Sequence, residues 1–135
     1  MKKGINIIKQ LRGDTMRFCW STLNVRNLEE SVKFYTDIIG LEVVREFSAG
    51  PLKIVFLGKD ETEIELICDG KSREINVGSD ISWGFEVESL DDALALINNN
   101  KIKVEEGPIQ PTPDVRYFFI KDPNGMKIQL VENVK

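Results

Sequence analysis

Polar side chains recur at every second position in several strand-like runs of this sequence, and they are the ones that could do chemistry. Trp20, Thr22 and Asn24 share one parity, as do Glu63 and Glu65, then Ser82, Gly84 and Glu86, then Lys127 and Gln129. The opposite parity is apolar: Leu23 and Val25, Ile64 and Leu66, Phe85 and Val87, Ile128 and Leu130. Successive strand residues point to opposite faces, so the apolar set packs a core and the polar set faces away from it. Because several strands do this together, the pattern predicts a sheet curling around a polar, partly enclosed groove. In such a groove Trp20 is a stacking surface, and Glu63, Glu65 and Glu86 supply negative charge, a combination that attracts cations. Arg116 and Lys127 are cations that could point into the same groove.

Other chemistries are excluded by what is missing. The chain has no histidine, which rules out imidazole-ligated zinc hydrolysis, histidine general bases and Ser-His-Asp catalysis. Lys and Arg number 18 against 22 Asp and Glu, a net charge of −4 that makes nucleic acid an unsuitable partner. Cys19 and Cys68 sit in apolar strand-like runs and read as reduced, mostly buried thiols rather than a disulfide framework. Lys9 and Arg12 interrupt the apolar residues near the N-terminus, leaving no stretch long enough for a secretory leader or a membrane span. A cytoplasmic protein without a membrane partner is the expectation. Residues 1–15 read as an appendage, with Ile5, Ile8 and Leu11 on one face, packing on its own domain or on a partner subunit.

The elements that must position these side chains come in two copies. Laying Val25 on Val87 also brings Leu23 onto Phe85, Leu28 onto Leu90, Phe34 onto Leu96 and Lys59-Asp60 onto Lys121-Asp122. Ile64-Glu65-Leu66 meets Ile128-Gln129-Leu130 once the Pro123-Asn124-Gly125 turn is allowed for. Each half reads strand, helix, strand, strand, strand. At 135 residues the chain suits one domain: module one at 16–70, a linker at 71–80 and module two at 81–135, in an α+β fold of two βαβββ modules with the helices outside a curved mixed sheet. Asn27 with Glu30, and Ser89 with Asp92, are capping boxes. Gly40 stops the first helix, and Asn98-Asn99-Asn100 lets the chain leave the second. Strands are predicted at 18–25, 41–47, 53–57, 63–68, 82–87, 104–106, 116–120 and 127–132. Trp83 shares the helix-facing parity and reads as core. Pro108, Pro111 and Pro113 read as a stiff loop, and Asp122-Pro123-Asn124-Gly125 as a plain hairpin turn.

The segments Leu23-Asn24-Val25-Arg26-Asn27-Leu28-Glu29-Glu30-Ser31-Val32-Lys33-Phe34-Tyr35, ending in Ile39-Gly40-Leu41, and Phe119 through Leu130 resemble the vicinal oxygen chelate superfamily, which holds glyoxalase I, bleomycin-resistance proteins and extradiol dioxygenases. Met16-Arg17-Phe18-Cys19-Trp20 looks most like bacterial glyoxalase I. In that enzyme the first and last strand of each half supply metal ligands of the types His, Glu, His, Glu; the resemblance carries them onto Trp20, Glu65, Ser82 and Gln129, where only Glu65 matches. One carboxylate and one amide oxygen are too few for Mg²⁺ or Ca²⁺, and nickel or zinc would lack imidazoles. The resemblance therefore implies a metal-free protein that binds a small molecule in the manner of bleomycin-resistance proteins, in a groove shared by the two subunits of a homodimer. Trp20, Thr22, Asn24, Glu63, Ser82, Glu86, Arg116, Lys127 and Gln129 would line it. The alternative the resemblance implies is a lactoylglutathione lyase-type isomerase, with Glu65 as general base and Arg116 or Lys127, pointing inward, holding the enediolate charge, or with a divalent metal ion at Glu65 and Gln129.

Overall fold

The structure, a computed structural model, describes residues 16–133, so the appendage expected over residues 1–15 lies outside the described residues. The first module comprises β1 (Trp20–Asn24), α1 (Leu28–Lys33) continuing through a π-helical turn (Phe34–Ile38), β2 (Glu42–Ala49), β3 (Leu52–Gly58) and β4 (Glu63–Cys68). The second repeats the plan as β5 (Ser82–Glu86), α2 (Leu90–Asn99), β6 (Glu106–Thr112), β7 (Val115–Lys121) and β8 (Lys127–Asn133). Each module forms its own four-stranded mixed sheet, ordered β1-β4-β3-β2 and β5-β8-β7-β6. The first and last strands of each module pair in parallel, and the remaining pairs are antiparallel.

Local chemistry sets the helix ends. Asn27 Oδ1 accepts the Glu30 backbone N–H at 3.0 Å, and Ser89 Oγ accepts that of Asp92 at 3.1 Å. Each satisfies a donor that the first turn leaves without a partner. Gly40 has φ +90° and ends the first helical segment without the steric penalty a side chain would meet. The second helix leaves differently from expectation: Lys101, not an asparagine, takes the left-handed conformation at φ +58°. The Asn100 side-chain amide meanwhile donates to the Leu96 carbonyl at 2.8 Å, a second bond to an oxygen that also accepts the Asn100 backbone N–H at 3.1 Å.

The proline-rich loop expected after residue 106 is instead strand β6, which passes through Pro108 and Pro111, whereas Val104 lies outside it. It is an edge strand that pairs only with β7, through shifted register, so a missing N–H can face away from the ladder.

The apolar faces of both sheets and the two helices form one core that includes Leu23, Leu57, Leu66, Tyr35, Ile97, Phe118 and Ile128. Trp83 packs against this core as its parity predicts, and its indole Nε1–H donates to Ser21 Oγ at 3.0 Å. The cysteines are free as expected but half-buried rather than mostly buried. Among the described residues no helix is long and apolar enough to cross a membrane.

Candidate functional site

The face of each sheet turned away from its helix carries a cross-strand row that the duplication relates to its counterpart. In the first module Thr22, Glu65, Phe56 and Arg45 are successive register partners across all the strands. Thr22 Oγ1 donates to Glu65 Oε1 at 2.5 Å, so the carboxylate is held on the strand by its neighbour. Arg45 forks onto Glu63, with Nη2 donating to Oε1 at 2.8 Å and Nη1 to Oε2 at 3.1 Å. The same guanidinium lies 4.0 Å from the centroid of the Phe56 ring. Trp20 and Phe47 meet that ring edge-on at 5.1 and 6.1 Å. Phe56 is thereby only 4% exposed, while Trp20 remains 43% and Phe47 55% exposed. A guanidinium planar enough to stack and to fork at once explains how one residue both covers the phenyl ring and neutralises Glu63.

In the second module the equivalent row is Gly84, Gln129, Phe119 and Glu106. Lys127 Nζ sits 4.4 Å from the centroid of Phe119, and Tyr117 meets Phe119 edge-on at 5.6 Å. Ser82 is the register partner of Lys127. Asn133 Nδ2 donates to Glu86 Oε2 at 2.9 Å. A side chain at position 84 would bring its Cβ to 3.3 Å from Gln129 Oε1, so the glycine leaves that amide room. A cavity of about 610 Å³ between the modules is lined by Phe18, Trp83, Phe85, Glu63 and Glu86 among others.

Strand parity thus gathers Trp20, Thr22, Asn24, Glu63 and Glu65 on the first face, and Ser82, Glu86, Lys127 and Gln129 on the second. Arg116 corrects the expectation that it lines the groove. It shares the parity of the buried Phe118 and Ile120, and its Nη2 lies 3.2 Å from Asp91 Oδ1 and 3.8 Å from Glu132 Oε1, on the helix side. The expected trio of cation-attracting carboxylates is reduced by one: Glu63 is paired with Arg45, while Glu65 and Glu86 are hydrogen-bonded by the neutral side chains of Thr22 and Asn133, with no cation paired to either among the described residues. Arg45, Phe56 and Phe119 were missed by the sequence reading. The two phenylalanines could have been found by extending alternation into β3 and β7. Arg45 could not, because a register shift between Val43 and Arg45 breaks the phase of β2.

The positions that the resemblance assigns to a metal do not fit one. Trp20 packs its ring against Phe56, Glu65 already accepts from Thr22, and Ser82 and Gln129 stand on the other sheet with neutral side chains. Among the described residues no group of three or more His, Cys, Asp or Glu is arranged to hold an ion. The set lacks the imidazoles that nickel and zinc favour and the oxygens that magnesium requires.

Comparison with known proteins bears on family and fold. Residues 17–130 match the Glyoxalase/Bleomycin resistance protein/Dioxygenase superfamily. The chain is 27% identical to a lactoylglutathione lyase of Neisseria meningitidis serogroup A, over 87% of its own length and 91% of the relative's. Among solved structures it is similar to the trypanothione-dependent glyoxalase I of Leishmania major, with a TM-score of 0.76 at 22% identity over 87% of each chain. It is also similar to an antibiotic-binding protein from Streptomyces sp. CB03234, with a TM-score of 0.68 at 18% identity over 88% of this chain and 97% of that one. Two βαβββ modules and a family match spanning nearly all the described residues place this chain in the glyoxalase/bleomycin resistance protein/dioxygenase superfamily.

Proposed function

We propose that this protein binds a small molecule on the groove faces of its sheets without a resident metal ion, as a homodimer in which a second copy supplies the facing wall. The observation that carries the reading is Glu65, fixed by the Thr22 hydroxyl beside the half-exposed Trp20 ring. A carboxylate oriented next to an accessible indole can hold a polar group while the ring stacks on a flat one. The exposed Trp20 and Phe47 support a second wall, since apolar rings on an open face gain from being covered. The fold shared with an antibiotic-binding protein supports binding as a use of this scaffold. Metal analysis of the purified protein, followed by a thermal-shift screen of cationic antibiotics and glutathione adducts, tests the proposal. The expected result is no stoichiometric nickel or zinc and a ligand that stabilises by about 2.7 kcal/mol at a hundredfold excess over its Kd. That stabilisation should be lost in Trp20→Ala. A stoichiometric transition metal that disappears in Glu65→Ala overturns it.

A second reading, a glyoxalase-type isomerase, is favoured by the similarity to lactoylglutathione lyases and by the Glu65 carboxylate oriented by Thr22. Glu65 would take the proton from the hemithioacetal carbon and return it to the adjacent former carbonyl carbon, and Lys127 of the second module would hold the enediolate charge between the two transfers. Turnover of the hemithioacetal of glutathione and methylglyoxal, abolished in Glu65→Gln, is the outcome that selects it.

A further inference from the structure

We propose that the groove face of the second module is an anion-recognising half-site that takes the carboxylate of a planar aromatic acid, an assignment that rests on reading these faces as a small-molecule groove. The two faces descend from one duplicated frame but treat their polar groups differently. On the first, the hydroxyl of Thr22 is matched to Glu65 and the guanidinium of Arg45 to Glu63. On the second, Lys127 and Lys121 are direct register partners of β8 and β7, with side chains on the same face. Neither forms an ion pair among the described residues. Like charges placed opposite each other destabilise a sheet, and an anion seated between them removes that repulsion.

The surrounding groups are donors too. Ser82 lies across from Lys127, and Gln129 follows two positions along β8 on the same face. Neither side chain makes a hydrogen bond among the described residues. Gly84 keeps the approach to the Gln129 amide open. Of the acids on this face, Glu86 lies at the opposite end of β5 from Ser82, hydrogen-bonded to the neutral Asn133 amide, and Glu106 stands exposed on the edge strand beyond Phe119. Lys127 Nζ lies over the Phe119 ring, and Tyr117, edge-on to that ring, continues the aromatic surface. Two cations, two neutral donors and an aromatic surface match a carboxylate attached to a flat ring.

Amide-resolved NMR titration of the full chain with benzoate, benzamide, benzylamine and inorganic phosphate tests this. Benzoate should shift the backbone amides of Ser82, Lys127 and Gln129 saturably. Lys127→Met and Lys121→Met should each weaken that binding about tenfold or more, the effect of removing a hydrogen bond to a charged group. The same substitution at the exposed Lys103 should leave it unchanged. Benzoate affinity unaltered by both groove substitutions overturns the half-site, and phosphate binding as tightly as benzoate overturns its aromatic specificity. Benzylamine binding on the Trp20 face with benzoate silent overturns this proposal and spares the small-molecule reading; silence from every probe counts against both.

Discussion

The phenol of Tyr35, in the π-helical turn that closes the first helical segment, donates to Asp122 Oδ2 at 2.8 Å across the boundary between the two modules. Tyr35 is fully buried and Asp122 is 5% exposed. Asp122 Oδ1 also accepts the backbone N–H groups of Asn124 and Met126 at 2.7 and 2.8 Å. Asn124 Nδ2 reaches Ser31 Oγ at 2.9 Å, back in the first module. The tight turn after β7 is thus the latch that sets one groove face relative to the other.

Removing the phenol hydroxyl should loosen that latch without emptying the core. Tyr35→Phe is expected to cost about 1.5–3 kcal/mol, the range for a hydrogen bond to a charged group. Asp122→Ala should cost more, because Tyr35 and the turn N–H groups lose their acceptor together. Urea denaturation of the three proteins measures both differences, and equal stability of Tyr35→Phe and the wild type would show that the contact contributes nothing.

The same contact makes stability fall in alkali. Burial, then the neighbouring Asp122 charge and the hydrogen bond to it, hold the Tyr35 hydroxyl far above the ordinary tyrosine range. The unfolded chain ionises this tyrosine near pH ~10 while the folded chain keeps it neutral. Its contribution is therefore complete below that pH and declines as pH rises beyond it. In an alkaline titration followed by tyrosinate absorbance, one of the chain's two tyrosines should ionise only together with loss of the circular-dichroism signal of the fold. That coupled phase should be absent from Tyr35→Phe.

What the sequence revealed and what it hid divide along a physical line. Capping by Asn27 and Ser89, the stop at Gly40 and the polar parity of β1, β4, β5 and β8 are local properties, and local spacing discloses them. Arg116 reads as a groove cation from its charge alone, whereas the buried Phe118 and Ile120 share its parity and turn it toward the helices. The role of Asp122 was hidden because a Pro-Asn-Gly turn explains itself locally, whereas its carboxylate is matched by a tyrosine from the other module. Arg45 was hidden by an irregularity in β2, and the neutralisation of Glu63 went unseen with it.

The two tryptophans should report separately on the two environments. Trp20 is 43% exposed on the groove face, while Trp83 packs on the core and donates its N–H to Ser21. Any ligand that occupies the first face should quench the fluorescence of Trp83→Phe, which retains Trp20, and leave that of Trp20→Phe nearly constant. The reverse pattern would place the ligand in the cavity between the modules.

The Arg45–Glu63 fork sets the charge preference of the first face, and breaking it should change that preference more than it changes stability. The two side chains are 38% and 22% exposed, so the pair is a partly solvated one whose loss costs about 1 kcal/mol or less. Glu63→Gln leaves the guanidinium stacked on Phe56 with its donors released and one negative charge fewer beside Trp20. An aromatic anion can then approach a cation whose counter-charge has gone. Benzoate should quench Trp20 in Glu63→Gln at concentrations that leave the wild-type emission unchanged, and the gain should shrink as salt is raised. If Glu63→Gln unfolds at a markedly lower urea concentration, or if its Trp20 stays as insensitive to benzoate as in the wild type, then Arg45 acts as a cover for Phe56 and not as a masked anion site.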